Sequence, residues 1–365
     1  MIKGMDVSSL LEVEACGGRF FDGDRQEDAL TILRRKGANL VRLRIWNDPK
    51  SETGESYGAG GNDLETALIL AGRAQALNIP WMADFHYSDF WADPGKQRIP
   101  KAWRHMNAEE MAEALYRFTR DSLLEMKKRD LLPAFVAVGN ELTNGLLWPL
   151  GRVPDFAGIV RFLNAGIRAV REIAPASRVL LHLDNGSSNA LYRAWFDGYL
   201  NAGGADFDVI GLSYYPFWHG KLAGLRENLL DLARRYGKDL LIAETAAGFT
   251  TEDYQQYERL PDGQRKGPWD PEKKGKTLEY PLTREGQSAF LADLSQVIRQ
   301  VPGGRCLGFV YWEPAWLPVP GSEWAKPCAL PYIEEQGPGG NEQANQCLFD
   351  YDGRPLPALE QLHAL

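Results

Sequence analysis

The chain has 365 residues, 44% of them apolar and 25% charged, a balance that fills a large core and excludes a disordered majority. Its 41 Lys and Arg against 49 Asp and Glu give a formal charge of -8, which repels phosphate backbones and argues against nucleic acid as a partner. No apolar run approaches the roughly 18 residues that a membrane span requires.

Taken in chain order, short β-rich runs alternate with longer amphipathic stretches from one end to the other. Strands are predicted at Ile2 to Val7, Leu40 to Ile45, Trp81 to Phe85, Phe135 to Val138, Val179 to Leu183, Val209 to Leu212, Leu240 to Ala243 and Leu307 to Tyr311. Helices are predicted over Arg25 to Lys36, Asp63 to Leu77, Ala108 to Lys128, Asp155 to Glu172 and Thr283 to Val301. Eightfold βα alternation is what a parallel closed sheet demands, so the expected fold is α/β, a single (β/α)8 TIM barrel over residues 1–365. No Pro/Gly/Ser linker divides it. Two long irregular segments, Thr245 to Pro281 and Pro314 to Gln346, follow the seventh and eighth strands, on the face where such barrels build their sites.

The informative residues cluster where strands stop. On the second, Arg42, Arg44 and Trp46 share one face by the period of two, and arginines on a strand otherwise suited to burial need anionic partners. The third runs into Asp84-Phe85-His86 and on to Trp91, with Asp84 and His86 on one face. The fourth ends Gly139-Asn140-Glu141 and the seventh Ala243-Glu244-Thr245, each setting a carboxylate just beyond an apolar run. Two such carboxylates in one barrel match glycoside hydrolysis, which needs one protonated carboxyl to release the leaving oxygen and one ionised carboxylate to attack the anomeric carbon. The sixth strand leads into Ser213-Tyr214-Tyr215 and His219, and the eighth into Trp312. Tyrosine hydroxyls can hydrogen-bond a carboxylate, and indole faces can stack on sugar rings. No His-x-x-x-His spacing occurs among the 5 histidines, so zinc chemistry has no support and no metal ligands are assigned. Cys328 and Cys347 fall in one loop-like stretch, where a bridge and two free thiols are both open.

At these residues the chain resembles the endo-β-1,4-galactanases of glycoside hydrolase family 53, within the clan of retaining barrel hydrolases. The resemblance runs over nearly the whole chain, through Gly4-Met5-Asp6-Val7-Ser8, Val41-Arg42-Leu43-Arg44-Ile45-Trp46-Asn47-Asp48-Pro49, Asp84-Phe85-His86-Tyr87-Ser88-Asp89-Phe90-Trp91, Val138-Gly139-Asn140-Glu141, Ser213-Tyr214-Tyr215-Pro216-Phe217-Trp218-His219-Gly220 and Tyr311-Trp312-Glu313-Pro314-Ala315-Trp316. It implies Glu141 as acid/base, Glu244 as nucleophile, and Asn140 as donor to the sugar 2-hydroxyl. Arg44 is then expected to keep Glu244 ionised, with Arg42 next in line on the same face. Asp84, His86 and Trp312 would line the subsite of the cleaved sugar, Trp91 would form a stacking wall, and Ser213, Tyr214, Tyr215 and His219 would complete the substrate-binding set.

Bacterial relatives often hold calcium in the loop after strand seven. Thr250 to Tyr257 here lacks the alternation of oxygen donors, so no cofactor is required and structural calcium is not expected, Glu252 and Asp253 being the residual donors. The resemblance implies a monomer acting on β-1,4-galactan side chains of pectin, extracellular or periplasmic with its signal peptide outside this chain. Met1 to Asp6 shows no signal-peptide apolar region, which leaves the cytoplasm as the alternative. The rivals are another retaining β-glycanase or β-galactosidase of the same clan, and a carbohydrate-binding barrel without turnover.

Overall fold

In a computed structural model of the chain, residues 1–254, 267–270, 278–335 and 339–365 are described. Eight parallel strands close into a barrel: β1 (Ile2–Asp6), β2 (Leu40–Ile45), β3 (Trp81–Phe85), β4 (Phe135–Val138), β5 (Arg178–Leu183), β6 (Val209–Ser213), β7 (Asp239–Thr245) and β8 (Cys306–Trp312). Each pairs with its neighbours in sequence, and β1 joins β8 through Ile2 opposite Gly308 to Asp6 opposite Trp312. This is the (β/α)8 TIM barrel that the alternation predicts. Among the described residues no helix is long and apolar enough to cross a membrane.

The interior is divided by height. Leu40, Met82, Phe135, Ala137, Leu180, Val209, Leu241 and Val310 form a small closed apolar plug. Two residues further along the same inward-facing rows stand Arg42 from Leu40, Asp84 from Met82 and His182 from Leu180, all three fully buried. The strands are therefore apolar below and charged above. Outside, the alternate positions Val41, Leu43, Ile45, Leu181 and Leu183 join the larger core beneath the helices.

The helices fall close to their expected bounds, with one correction. Arg25–Lys36 does not form one helix: Arg25–Glu27 pairs antiparallel with Phe20–Asp22, and the helix runs from Ala29 to Lys36. Asp28 divides the two by capping, its carboxylate accepting from Thr31 N at 2.7 Å. Amphipathic helices at Asn189–Asn201 and Leu222–Tyr236 complete the alternation around β6. All four cysteines are free thiols, so Cys328 and Cys347 are not bridged; Cys347 is buried against the carbonyls of Glu313 and Trp316.

Candidate active site

The cleft opens at the strand C-termini, with a volume of about 370 Å3, lined by Arg44, His86, Trp91, Asp93, Asn140, Glu141, Asp184, Tyr215, Trp218, His219, Glu244, Trp312, Trp316 and Trp324 among others. Its floor is the charged layer of the barrel.

Glu141 reaches the cleft because β4 stops abruptly. Gly139 adopts φ 90° and Glu141 itself φ 46°, a left-handed conformation that costs a non-glycine residue on the order of 1 kcal/mol. The turn brings Glu141 Oε1 to 2.7 Å from Ser213 Oγ. Glu244 arrives by a different device. Strict alternation from inward-facing Leu241 would point Ala243 and Thr245 into the barrel, but the β6–β7 register shifts so that Ser213 stands opposite Glu244. The bulge turns the carboxylate inward.

Arg42 gathers the layer together. Its Nη1 donates to Asp6 Oδ2 at 2.6 Å, and its Nη2 to Glu244 Oε1 at 2.6 Å, Asp84 Oδ2 at 2.7 Å and Asn140 Oδ1 at 2.9 Å. Burial opposes the charge on Arg42, and Asp84, Glu244 and Asp6 outweigh it, so the guanidinium stays protonated. Tyr215 OH donates to the other oxygen of Glu244 at 3.0 Å.

The partner of Glu244 is thus Arg42, which corrects the assignment to Arg44. Arg44 Nη2 lies 2.6 Å from Glu313 Oε1 and its Nη1 3.3 Å from Asp6 Oδ1, with the guanidinium 4.7 Å from the centre of the Trp91 ring. Glu313 also accepts from Ser9 Oγ at 2.5 Å. Arg44 supports the aromatic wall from behind, and only 1% of it is exposed.

The two glutamates differ electrostatically. Burial raises Glu141 well above the usual carboxylate range, and the negative charges of Glu244, Asp184 and Asp93 add to the rise. Burial also raises Glu244, helped by Asp84 and Asp6, but there the Arg42 guanidinium and the Tyr215 hydroxyl pull the other way. Burial opposes ionisation of Asp84 as well, yet Arg42 and His86 hold it down to about 2.

Three expected contact residues, Asp84, Ser213 and Tyr214, do not line the cleft. Asp84 is fully buried beneath the cleft, bound to Arg42 and to His86 Nε2 at 2.9 Å; it orients His86 and does not line the cavity. Ser213, also fully buried, touches the Glu141 carboxyl from below. Tyr214 faces out of the barrel, ring-stacked on Phe290 with its hydroxyl on Gly220 O, because Tyr215 takes the inward position of the alternation. Arg44, His86, Trp91, Asn140, Tyr215, His219 and Trp312 do line the cleft with both glutamates.

The sequence reading assigns no role to Asp93, Asp184 and Trp324 of the cleft or to His182 beneath it, and takes Trp218 and Trp316 only as members of aromatic-rich strand ends that suit a sugar cleft. His182 and Asp184 were findable, since they continue the inward row of Leu180 by steps of two. Trp324 comes from the segment after β8 and stacks on Trp91 at 5.9 Å, which no local pattern reveals. Among the described residues no group of three or more His, Cys, Asp or Glu could hold a metal. Of the segment considered for calcium, Gln255 to Tyr257 lies outside the described residues.

Residues 2–362 match the family described as Glycosyl hydrolase family 53. The chain belongs to this family. Among its relatives, an endo-beta-1,4-galactanase of Bacillus subtilis is 38% identical over 98% of this chain and 84% of that protein. The solved catalytic domain from Ignisphaera aggregans, described as GH53, superposes with TM-score 0.88 at 37% identity, over 98% of this chain and 94% of that one. One of two fungal beta-1,4-galactanases gives TM-score 0.79 at 26% identity, over 100% and 99%. Family membership makes the chain a glycoside hydrolase.

Proposed function

We propose that this family 53 chain is a retaining endo-β-1,4-galactanase acting on the galactan and type I arabinogalactan side chains of pectin. The observation that carries the assignment of roles is the asymmetry around the two carboxylates. Glu244 is held by Arg42 at 2.6 Å and Tyr215 at 3.0 Å, whereas the charges that bear on Glu141 (Glu244, Asp184 and Asp93) are all negative. An ionised nucleophile and a protonated acid follow from that arrangement.

In the first step the Glu244 carboxylate attacks the anomeric carbon, the glycosidic C–O bond breaks, and the Glu141 proton passes to the departing oxygen. The product is a glycosyl ester on Glu244. With one negative charge gone, Glu141, now a carboxylate, takes a proton from water, and the hydroxide attacks the same carbon from the face the leaving group left. Two inversions restore the β configuration and return both side chains to their starting states. Asn140, His86 and Trp312 contact the sugar being cleaved; Trp91 and the half-exposed Trp218 offer ring faces to it and its neighbours. All these groups come from one chain, so a monomer suffices and no cofactor enters either step.

Two named galactanase relatives, one of them solved, support galactan over xylan or mannan as the substrate. A polymeric substrate places the work outside the cytoplasm. The test is product analysis: linear β-1,4-galactan is expected to yield short galacto-oligosaccharides with new reducing ends, and xylan and mannan none. Comparable products from xylan or mannan would reassign the substrate, and binding without new reducing ends would mean a barrel without turnover.

A further inference from the structure

Four contacts below Glu141 fix the direction of every hydrogen bond between Asn140 and the carboxyl. Asn140 Oδ1 faces Arg42 Nη2, which can only donate, and Asn140 Nδ2 faces Ala92 O at 2.9 Å, which can only accept. The amide is therefore oriented from both ends. His182 Nδ1 lies 2.9 Å from the same Asn140 Oδ1, so Nδ1 carries a hydrogen and donates it. His182 is fully buried and flanked by Arg42; burial and that guanidinium push its pKa down to about 3, and the ring is neutral. A neutral imidazole with its hydrogen on Nδ1 has a bare Nε2. That nitrogen lies 2.8 Å from Ser213 Oγ, so the only hydrogen of the serine hydroxyl points at His182. Ser213 Oγ then has a lone pair, and no hydrogen, for Glu141 Oε1 at 2.7 Å. The carboxyl must bring the proton itself.

We propose that His182 is a positioning residue which, by holding the Ser213 hydrogen, keeps Glu141 protonated in the free enzyme. It rests on the reading of Glu141 as the acid/base. A serine free to donate would favour the carboxylate and lower the Glu141 pKa; here its hydrogen is engaged. When Glu141 gives its proton to the leaving oxygen, the Ser213 O–H rotates from His182 Nε2 to the new carboxylate. When Glu141 takes a proton from water, the hydroxyl turns back. No proton crosses the serine or the histidine, and the account balances over the cycle. The other ionisable groups bearing on Glu141 are Glu244 from β7, Asp184 after β5, Asp93 after β3, Tyr215 after β6 and Tyr192 from the helix Asn189–Asn201; those on His182 are Arg42 from β2, Asp84 and His86 at the end of β3, and His219 after β6. None of them supplies a hydrogen to Ser213 Oγ.

The pH profile of kcat/KM separates this role from a merely structural one. In His182→Phe the serine is released to donate to the carboxylate, so the alkaline limb is expected to move to lower pH by about one pH unit. In His182→Phe/Ser213→Ala that donor is gone and the limb returns most of the way. A folded His182→Phe variant with an unmoved limb, or the same limb in the single and double variants, would overturn the proposal. The unaltered protein gives a second reading that needs neither substrate nor folding of a variant. With 15N-labelled histidine, assigned by sequential connectivity, His182 at neutral pH is expected to show a protonated Nδ1 and a bare Nε2. A hydrogen on Nε2 would refute the relay whatever the substrate is; failure to cleave galactan, with Nδ1–H observed, would refute only the assigned activity.

Discussion

Arg42 and Arg44 leave the same face of β2 two residues apart, both buried, both touching Asp6, and they serve different halves of the molecule. Arg42 binds Glu244, Asp84 and Asn140 and so determines charge around the Glu244 carboxylate. Arg44 binds Glu313 and lies against Trp91, and so determines where aromatic rings stand. The difference comes from height in the barrel: one step of two along a strand moves a guanidinium from the reacting layer to the base of the wall. Residue type and facing direction are local properties. Which carboxylate answers each arginine is decided by four other strands.

The largest effect is expected at Arg42. Arg42→Ala leaves Asp84 and Glu244 without their guanidinium and Asp6 with Arg44 alone, which should cost about 3–5 kcal/mol of stability and abolish turnover even in molecules that remain folded. Denaturant melts together with assays scaled to the folded fraction check both parts. Arg44→Ala should destabilise by a similar amount, because Glu313 then stays buried without its partner. Its activity per folded molecule should exceed that of Arg42→Ala by orders of magnitude, and Arg44→Ala/Glu313→Gln should recover part of the lost stability. Equal residual activities would erase the distinction between the two arginines.

The pH dependence comes next. Activity is expected to rise as Glu244 loses its proton and to fall as Glu141 loses its own. Burial and neighbouring carboxylates raise both groups, Glu244 through Asp84 and Asp6 and Glu141 through Glu244, Asp184 and Asp93; only Glu244 has a guanidinium, that of Arg42, pulling the other way. The acid limb of the bell should therefore belong to Glu244 and the alkaline limb to Glu141. Removing the Asp184 charge with Asp184→Asn should move that limb to lower pH, since one repelling carboxylate is lost. A smaller effect is expected from Tyr215→Phe, which deletes one hydrogen bond to Glu244: kcat should fall roughly 10- to 100-fold with stability nearly unchanged.

Much of this was legible in the sequence because it is local. All eight strands lie within about two residues of their expected bounds, since apolar runs and flanking turn residues are short-range signals. Both glutamates were visible as carboxylates just past apolar strands. The hairpin at Phe20–Glu27 was not, because Arg25 to Lys36 reads as one polar and apolar period until Asp28 is recognised as a cap. Tyr214 and Tyr215 are adjacent and chemically identical, and only the inward phase of β6 separates a core ring from a site ring. Glu244 faces inward through a bulge that strict alternation does not foresee. The exchange of roles between Arg42 and Arg44 and the Trp91–Trp324 stack depend on contacts between distant segments, for which one sequence carries no short-range signature.

The central claim is that two chemically identical side chains are divided into an acid/base, Glu141, and a nucleophile, Glu244. Azide rescue of the alanine variants, on an aryl β-galactobioside whose leaving group needs no proton, tests it most directly. Glu141→Ala should form the glycosyl ester, hydrolyse it slowly, and give the β-glycosyl azide when the anion attacks in place of water. In Glu244→Ala azide should occupy the space of the missing carboxylate and give the α-azide. The predicted result is these two opposite anomers; the reverse pairing would show the roles exchanged, and the same anomer from both variants would contradict the division itself.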